Sequence, residues 1–160
     1  MKKLIIISLL ASIIFSQQRS SYSWEDGTGT ILGTFCYGGC DGVDDAENVG
    51  STSGISPYNG SRMLTVSDPC TDANPEAYIA WVTNLSVGNE ISACFYGYDN
   101  TSGTKPSLRI WGNWSNNDDI TSYTGSASGN QDYTDGSRWG QVCHTWSVTE
   151  SEDEGLVIKA

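Results

Sequence analysis

Three side chains at alternating positions of one stretch could recognise a sugar. The stretch is residues 106–114, and the three side chains are Arg109, Trp111 and Asn113. Side chains alternate between the two faces of a β-strand, so these three share one face while the apolar residues between them point into a core. An aromatic ring stacks on the C–H face of a sugar, and a guanidinium and an amide bond its hydroxyl groups. The pattern predicts a glycan-binding surface.

Two tyrosines on the preceding strand are expected to extend this surface. Residues 90–98 alternate between apolar and polar side chains, and Tyr96 and Tyr98 fall on the outward face. Strands that follow each other in the sequence often lie side by side, so the two outward faces are expected to form one site. The complete candidate ligand-binding set is Arg109, Trp111, Asn113, Tyr96 and Tyr98.

The aromatic residues also have a purely structural interpretation. Trp81 and Trp146 are expected to pack between two sheets, and an Arg–Trp pair stacked on an ordinary strand would give Trp111 the same role. Trp114 and Tyr123 border the polar stretch 115–137, which is expected to be an irregular surface loop, and they could wall a site. Two roles therefore stay open for Trp111, packing in the fold and binding of a ligand.

The sequence predicts no enzyme activity. His144 is the only histidine and shares a strand face with apolar residues, which favours a structural role. A glycosidase holds two carboxylates across a cleft, but the acidic residues here are expected in solvated loops and turns. Gly-x-Ser-x-Gly, phosphate-loop and His-Glu-x-x-His motifs do not occur.

An acidic, glycine-rich loop is the candidate metal site. Within residues 38–54 four carboxylates lie close together, namely Asp41, Asp44, Asp45 and Glu47. Hard cations prefer such oxygen ligands, so a structural calcium ion is expected either at this loop or near Glu25. The alternative is that these carboxylates only keep the protein soluble.

The first sixteen residues are typical of a secretory signal. Met-Lys-Lys is followed by a short apolar run that ends before Ser16. The sequence thus predicts a secreted, extracellular protein with one domain, residues 17–160, that does not insert into a membrane after cleavage. Four N-glycosylation sequons fit a secreted glycoprotein, although they could also follow from the Asn- and Ser-rich composition; they begin at Asn59, Asn84, Asn100 and Asn113.

In an oxidising compartment the five cysteines are expected to form disulfides. Cys94 and Cys143 each lie midway along a predicted strand and are expected to form one bridge. Cys36, Cys40 and Cys70 lie in predicted loops and compete for another. The remaining thiol could pair with a second chain, so self-association is a further expectation.

Composition and strand spacing indicate an antiparallel β-sandwich. The 160 residues include 18 glycines and carry a formal charge of −11, which argues against nucleic acids and anionic membranes as partners. Short strands alternate with turns and no amphipathic helix is evident. The predicted strands are residues 28–35, 61–66, 76–83, 90–98, 106–114 and 139–148, with another beginning at 156.

The order of motifs resembles jelly-roll modules of secreted, multidomain bacterial proteins that accompany lamin-tail domains or extracellular nucleases. The resemblance rests on residues 24–33, 60–66, 75–81, 106–111, 122–130, 139–146 and 155–158. It implies a jelly roll similar to carbohydrate-binding modules, in which a further strand follows residue 158 and paired aspartates share a calcium ion with an acidic residue near the first strand, here Glu25. This sequence does not contain that last strand, and its cysteines are not part of the pattern.

These observations lead to one main functional hypothesis and two alternatives. The main hypothesis is a secreted, non-catalytic module that binds carbohydrate or a matrix or cell-surface ligand. The first alternative is a structural or adhesive subunit that assembles with partner chains. The second is the ancillary part of a secreted nuclease or hydrolase.

Overall fold

The described part of the chain is all-β. A computed structural model describes residues 17–37, 45–67, 74–99, 108–132 and 138–160. No helix within these ranges has the length and apolar character that crossing a membrane requires. The strands are β1 (Gly33–Tyr37), β2 (Asp45–Val49), β3 (Met63–Ser67), β4 (Asn74–Val82), β5 (Glu90–Gly97), β6 (Leu108–Ser115), β7 (Gly125–Asp132), β8 (Gly140–Ser147) and β9 (Gly155–Lys159).

Every strand pairing is antiparallel, as the sequence predicted. One sheet has the order β1-β4-β9-β6-β7, while β2 pairs with β3 and β5 pairs with β8. The inner face of the five-stranded sheet packs against β5 and β8, giving two layers in the manner of a sandwich. The jelly-roll connection of these layers stays a prediction.

The core lies between these two layers. Its buried side chains come from β6, β8 and β9, and they are Leu108, Ile110, Val142, Trp146, Leu156 and Ile158. The expected inward direction of Leu108 and Ile110 is therefore confirmed. Trp146 also packs in the core as predicted and donates its indole N–H to the Ser128 carbonyl at 3.0 Å.

Glycine at position 112 lets the core close around this tryptophan. A Cβ on Gly112 would lie 2.9 Å from both Trp146 Nε1 and Leu156 Cδ1, so the indole rests directly on the backbone of β6.

Trp81 occupies a different place from the one expected. It pairs with Val157 on the outer face of the sheet and donates its indole N–H to Ser115 Oγ at 3.1 Å. The prediction that Trp81 packs between the sheets was wrong.

Two strands lie in stretches that the sequence indicated as loops. β2 falls within residues 38–54, and β7 falls within residues 115–137. β7 contains no β-branched or aromatic residue, and backbone pairing with β6 holds it in the sheet at one end of the strand order. A strand held by backbone pairing is hard to predict from its side chains, because strand propensity largely measures side-chain packing.

The strand that begins at residue 155 is the central strand of the large sheet. All five residues of β9 are buried, and it pairs with β4 on one side and β6 on the other. A short apolar run suits a strand covered on both faces. β9 thus brings the outward side chains of β4 and β6 within two strand spacings of each other.

Asp153, just before β9, is a buried carboxyl that should make stability depend on pH. The residue is 6% exposed, and burial raises the pKa of Asp153 above its ordinary value. A hydrogen bond from Thr124 Oγ1 at 3.3 Å opposes this pKa shift, while the charges of Glu152 and Glu150 add to it. A carboxyl with a raised folded-state pKa binds its proton more tightly in the native state, so stability falls as the pH rises through the unfolded-state pKa towards the folded-state one.

We expect Asp153→Asn to raise the free energy of unfolding at pH 7, because the amide removes the buried charge and can still accept from Thr124. The gain should vanish below about pH 4, where the carboxyl is protonated in both states. Urea unfolding at pH 7 and pH 3.5 measures both values, with Asp118→Asn, the same substitution at an exposed position, as the control. A loss of stability that is equal at the two pH values would contradict this assignment.

Candidate functional site

A cavity of about 720 Å³ lies on the outer face of the five-stranded sheet. Its volume falls in the range of about 300 to 1,000 Å³ that small-molecule sites occupy. Strands β1, β4, β6, β7 and β9 and the turn before β7 all contribute to it. Its lining is Phe35, Glu76, Tyr78, Arg109, Trp111, Asn113, Ile120, Thr121, Ser122, Tyr123, Ser126, Val157 and Lys159.

The strand register arranges two aromatic side chains in one row across the floor. Tyr78 pairs with Lys159, and Lys159 pairs with Trp111. The two aromatic residues are therefore two strand spacings apart, which is about 10 Å. The Tyr78 ring lies over Gly33, where a Cβ would meet Tyr78 Cδ2 at 2.9 Å, so a glycine on β1 makes room for it. Burial raises the pKa of Tyr78, and the nearby Glu76 charge adds to the rise.

The indole of Trp111 is held from two sides. Its N–H donates to Ser126 Oγ on β7 at 3.2 Å, and the guanidinium carbon of Arg109 lies 3.9 Å from the ring centroid. Since Arg109 covers one face of the ring, a ligand can meet only the opposite face and the ring edge. Trp111 is thus a fixed aromatic surface, and fixing a side chain before binding reduces the entropy that binding must overcome.

An ion pair between β9 and β4 also belongs to the floor. Lys159 Nζ bonds Glu76 Oε2, and both residues are buried. The ammonium also lies 5.4 Å from the ring centroid of Phe35, which is the cross-strand partner of Glu76. The two charges neutralise each other, so this part of the floor is polar without carrying net charge.

A hydrogen-bonded turn forms one wall. The Asp119 carboxylate accepts from the backbone N–H and the hydroxyl of Thr121, at 2.8 and 2.6 Å, and these bonds lower the pKa of Asp119. Ser122 Oγ donates to the Asp119 carbonyl and accepts from Asn116 N–H. The turn carries Tyr123, which is 64% exposed and lines the cavity. That Tyr123 walls a binding site stays a prediction. Trp114, expected beside it, packs against the core instead.

The structure separates the predicted ligand-binding residues into two groups. Arg109, Trp111 and Asn113 share the cavity, as the alternation of β6 predicted. Tyr96 and Tyr98 lie elsewhere, because β5 pairs with β8 and not with β6. Their ring partners are Tyr58, which stacks on Tyr96 with ring centroids 3.8 Å apart, and Trp139, which meets Tyr98 edge-on.

The predicted metal ligands do not come together in the described residues. Both carboxylate oxygens of Glu25 accept hydrogen bonds from Ser61 and Arg62, which lower the pKa of Glu25 and leave the carboxylate tied to the start of β3. Asp45 pairs with Ser67 at the far end of the β2–β3 hairpin, away from Glu25.

Asp45 and Glu47 share the exposed face of β2, whereas Asp41 and Asp44 lie outside the described residues. Where the structure describes the chain, no group of three or more His, Cys, Asp or Glu residues could hold a metal ion. Calcium at the loop of Asp41, Asp44, Asp45 and Glu47 stays a prediction.

The predicted Cys94–Cys143 bridge is confirmed, whereas Cys36, which was predicted in a loop, lies in strand β1. Cys94 and Cys143 form a disulfide between directly paired positions of β5 and β8, with Cα atoms 4.1 Å apart. Cys36 is also disulfide-bonded, while Cys40 and Cys70, the other two candidates for a second bridge, lie outside the described residues.

His144 lies on the inner face of β8, edge-on to Trp146 at 4.9 Å between ring centroids, in agreement with a structural role.

Sequence reasoning missed the half of the cavity that β1, β4 and β9 provide. The residues missed are Phe35, Glu76, Tyr78, Val157 and Lys159. A signal was present, because Glu76 and Tyr78 alternate with Ala77 and Ile79 in a predicted strand. What the sequence did not supply was the pairing of β9 between β4 and β6.

Comparison of this chain with protein-family models, with curated proteins and with solved structures finds no match.

Proposed function

We propose that this protein is a secreted, non-catalytic module that binds carbohydrate in the cavity on the outer face of its five-stranded sheet. The observation that carries the proposal is Trp111, an indole held by Ser126 and Arg109 in a cavity that also contains Tyr78 and Tyr123. An aromatic surface that is rigid before binding suits the C–H face of a sugar ring.

Polar groups around the aromatic rings support the same ligand class. Asn113, Ser126 and Thr121 line the cavity beside Trp111 and offer amide and hydroxyl groups to sugar hydroxyls. A cavity that combines aromatic faces with a few convergent hydrogen-bonding groups is the usual form of a small-molecule site. The mixed lining favours a carbohydrate over a purely apolar ligand.

The carboxyl content of the cavity favours binding over catalysis. Among its described lining residues Glu76 is the single carboxylate, and it is paired with Lys159. Hydrolysis of a glycosidic bond requires two carboxyl groups on either side of the bond. The arrangement therefore favours a module that holds a glycan over an enzyme that cleaves one.

The proposed location outside the cell rests on two features. The first sixteen residues are typical of a secretory signal, and Cys94–Cys143 is a disulfide of the kind that persists in oxidising compartments. A protein in that location meets glycans of cell surfaces and matrix. Its ligand in this proposal is accordingly an extracellular or cell-surface polysaccharide.

Replacing Trp111 with alanine should weaken glycan binding tenfold to a hundredfold, about 1.4 to 2.8 kcal/mol, because aromatic anchors in pockets commonly contribute this much. Trp111→Phe keeps an aromatic face and loses the hydrogen bond to Ser126, so its affinity should lie between those of the wild type and Trp111→Ala. A glycan array identifies a ligand for the wild-type protein, and calorimetric titration then compares the three proteins. Equal affinity of wild type and Trp111→Ala, or no binding by the wild type, would overturn the proposal.

A further inference from the structure

The charge of the cavity differs from that of the rest of the protein. Its described lining residues include Arg109, Lys159 and Glu76 as the charged side chains. Lys159 and Glu76 pair with each other, and Arg109 forms no ion pair with any described carboxylate. The cavity thus keeps the charge of Arg109, whereas the whole chain has 19 acidic against 8 basic residues.

The described acidic residue of the wall does not neutralise this charge. Asp119 belongs to the wall, but its carboxylate turns into its own turn and bonds Thr121. It is also exposed, and a charge on an exposed side chain is screened by solvent and salt. Among the described residues, Arg109 is therefore a cation without a carboxylate partner beside the aromatic floor.

Arg109 is also incompletely hydrogen-bonded. Its guanidinium lies over the Trp111 ring, with the central carbon 3.9 Å from the ring centroid, and its Nε is buried without a hydrogen-bond partner. A planar guanidinium presents several N–H donors in a fixed fork, which matches the paired oxygens of a carboxylate or a sulfate. Stacking on the indole fixes this fork in place before any ligand arrives, so little rotamer freedom remains to be lost.

We propose that the glycan bound in this cavity is acidic, and that a carboxylate or sulfate group on one of its sugar units pairs with Arg109 while a neighbouring unit packs on Trp111. This inference rests on the proposed function, because it names the class of glycan that the same site takes. The row from Tyr78 to Trp111 spans about 10 Å across the floor and gives room for more than one sugar unit.

The acidity of the protein does not oppose such a ligand at physiological salt. Repulsion between exposed charges fades beyond a Debye length, about 8 Å at 0.15 M ionic strength. Arg109 acts within the cavity at contact distance, where screening is weaker. Binding should consequently be measured at 0.15 M salt, since at low salt the net charge of −11 would oppose approach of any polyanion.

Matched polysaccharide pairs test the proposal. Oligogalacturonate is compared with its methyl ester for the carboxylate, and dextran sulfate with dextran for the sulfate. We expect the wild-type protein to bind one charged member at least tenfold more tightly than its neutral counterpart. Arg109→Gln should abolish this preference, and Arg109→Lys, which keeps the charge and loses the fork, should retain part of it.

Arg62→Gln serves as the control, because it removes the same charge from an exposed position outside the cavity and should keep the full preference. Equal binding of charged and neutral members, together with weaker binding by Trp111→Ala, would overturn the acidic ligand and leave the proposed site standing. An acid preference that survives in Arg109→Gln would show that Arg109 is not its source. Binding to no member of either pair, and to no glycan on an array, would overturn both proposals.

Discussion

Replacing Lys159 with methionine is expected to lower the free energy of unfolding by about 3 to 5 kcal/mol, the usual cost of leaving one partner of a buried ion pair without the other. Lys159 is 4% exposed and bonds Glu76 on the neighbouring strand β4. Water has little access to the remaining carboxylate, so its charge would stay uncompensated in the sheet. Urea unfolding at pH 7 measures the difference.

The double variant Glu76→Leu/Lys159→Met separates the charge from the loss of packing. Replacing both members of a buried ion pair with apolar residues is often neutral or stabilising, so this variant should recover most of the loss seen in Lys159→Met. Glu76→Leu alone should be destabilised, because it leaves the ammonium buried. If the double variant loses as much stability as the sum of the two single variants, the pair is not coupled and the assignment is wrong.

Removing the Cys94–Cys143 disulfide should cost about 4 kcal/mol, the loop-closure estimate for a sequence separation of 49 residues. The bridge closes a loop that contains β6, β7 and the turn wall, and so includes much of the candidate site. Both cysteines are exposed on β5 and β8, so Cys94→Ser/Cys143→Ser creates no cavity and acts mainly through the unfolded chain. The double variant is preferable to reducing agent, because Cys36 is also disulfide-bonded.

A neighbouring cross-strand pair provides the control for this measurement. Ser92 and Thr145 pair on the same two strands, and their exposed hydroxyls lie 2.7 Å apart. Ser92→Ala/Thr145→Ala should cost less than about 1 kcal/mol, in line with cross-strand polar pairs. A disulfide variant that unfolds at the same urea concentration as this control would contradict the stabilising role of the bridge.

Local alternation made much of the fold predictable from the sequence. Ile110 and Val142 belong to strands whose apolar and polar residues alternate cleanly, and both are buried as expected. β7 was not predicted as a strand, because Gly125–Asp132 contains small and polar residues and its pairing depends on backbone bonds to β6. β2 was not predicted as a strand, because its carboxylates gave it the composition of a solvated loop.

The candidate site was predictable only where it lies on one strand. Arg109, Trp111 and Asn113 needed nothing beyond the period of two, and all three line the cavity. Tyr96 was assigned to the same surface because its strand comes next in the sequence, but β5 pairs with β8, forty-nine residues away at the disulfide. Non-local pairing of this kind cannot be deduced from alternation, and it also hid the contact between Glu76 and Lys159.

The most direct test of the proposed binding site compares its two aromatic surfaces. Titration of a glycan that the wild-type protein binds would be repeated with two variants. Trp111→Ala removes the aromatic ring in the cavity. Tyr96→Ala removes a ring on β5 that is 42% exposed and stacks on Tyr58. The cavity assignment predicts that Trp111→Ala loses at least tenfold in affinity and that Tyr96→Ala binds like the wild type. Loss of binding in Tyr96→Ala with full binding in Trp111→Ala would contradict it.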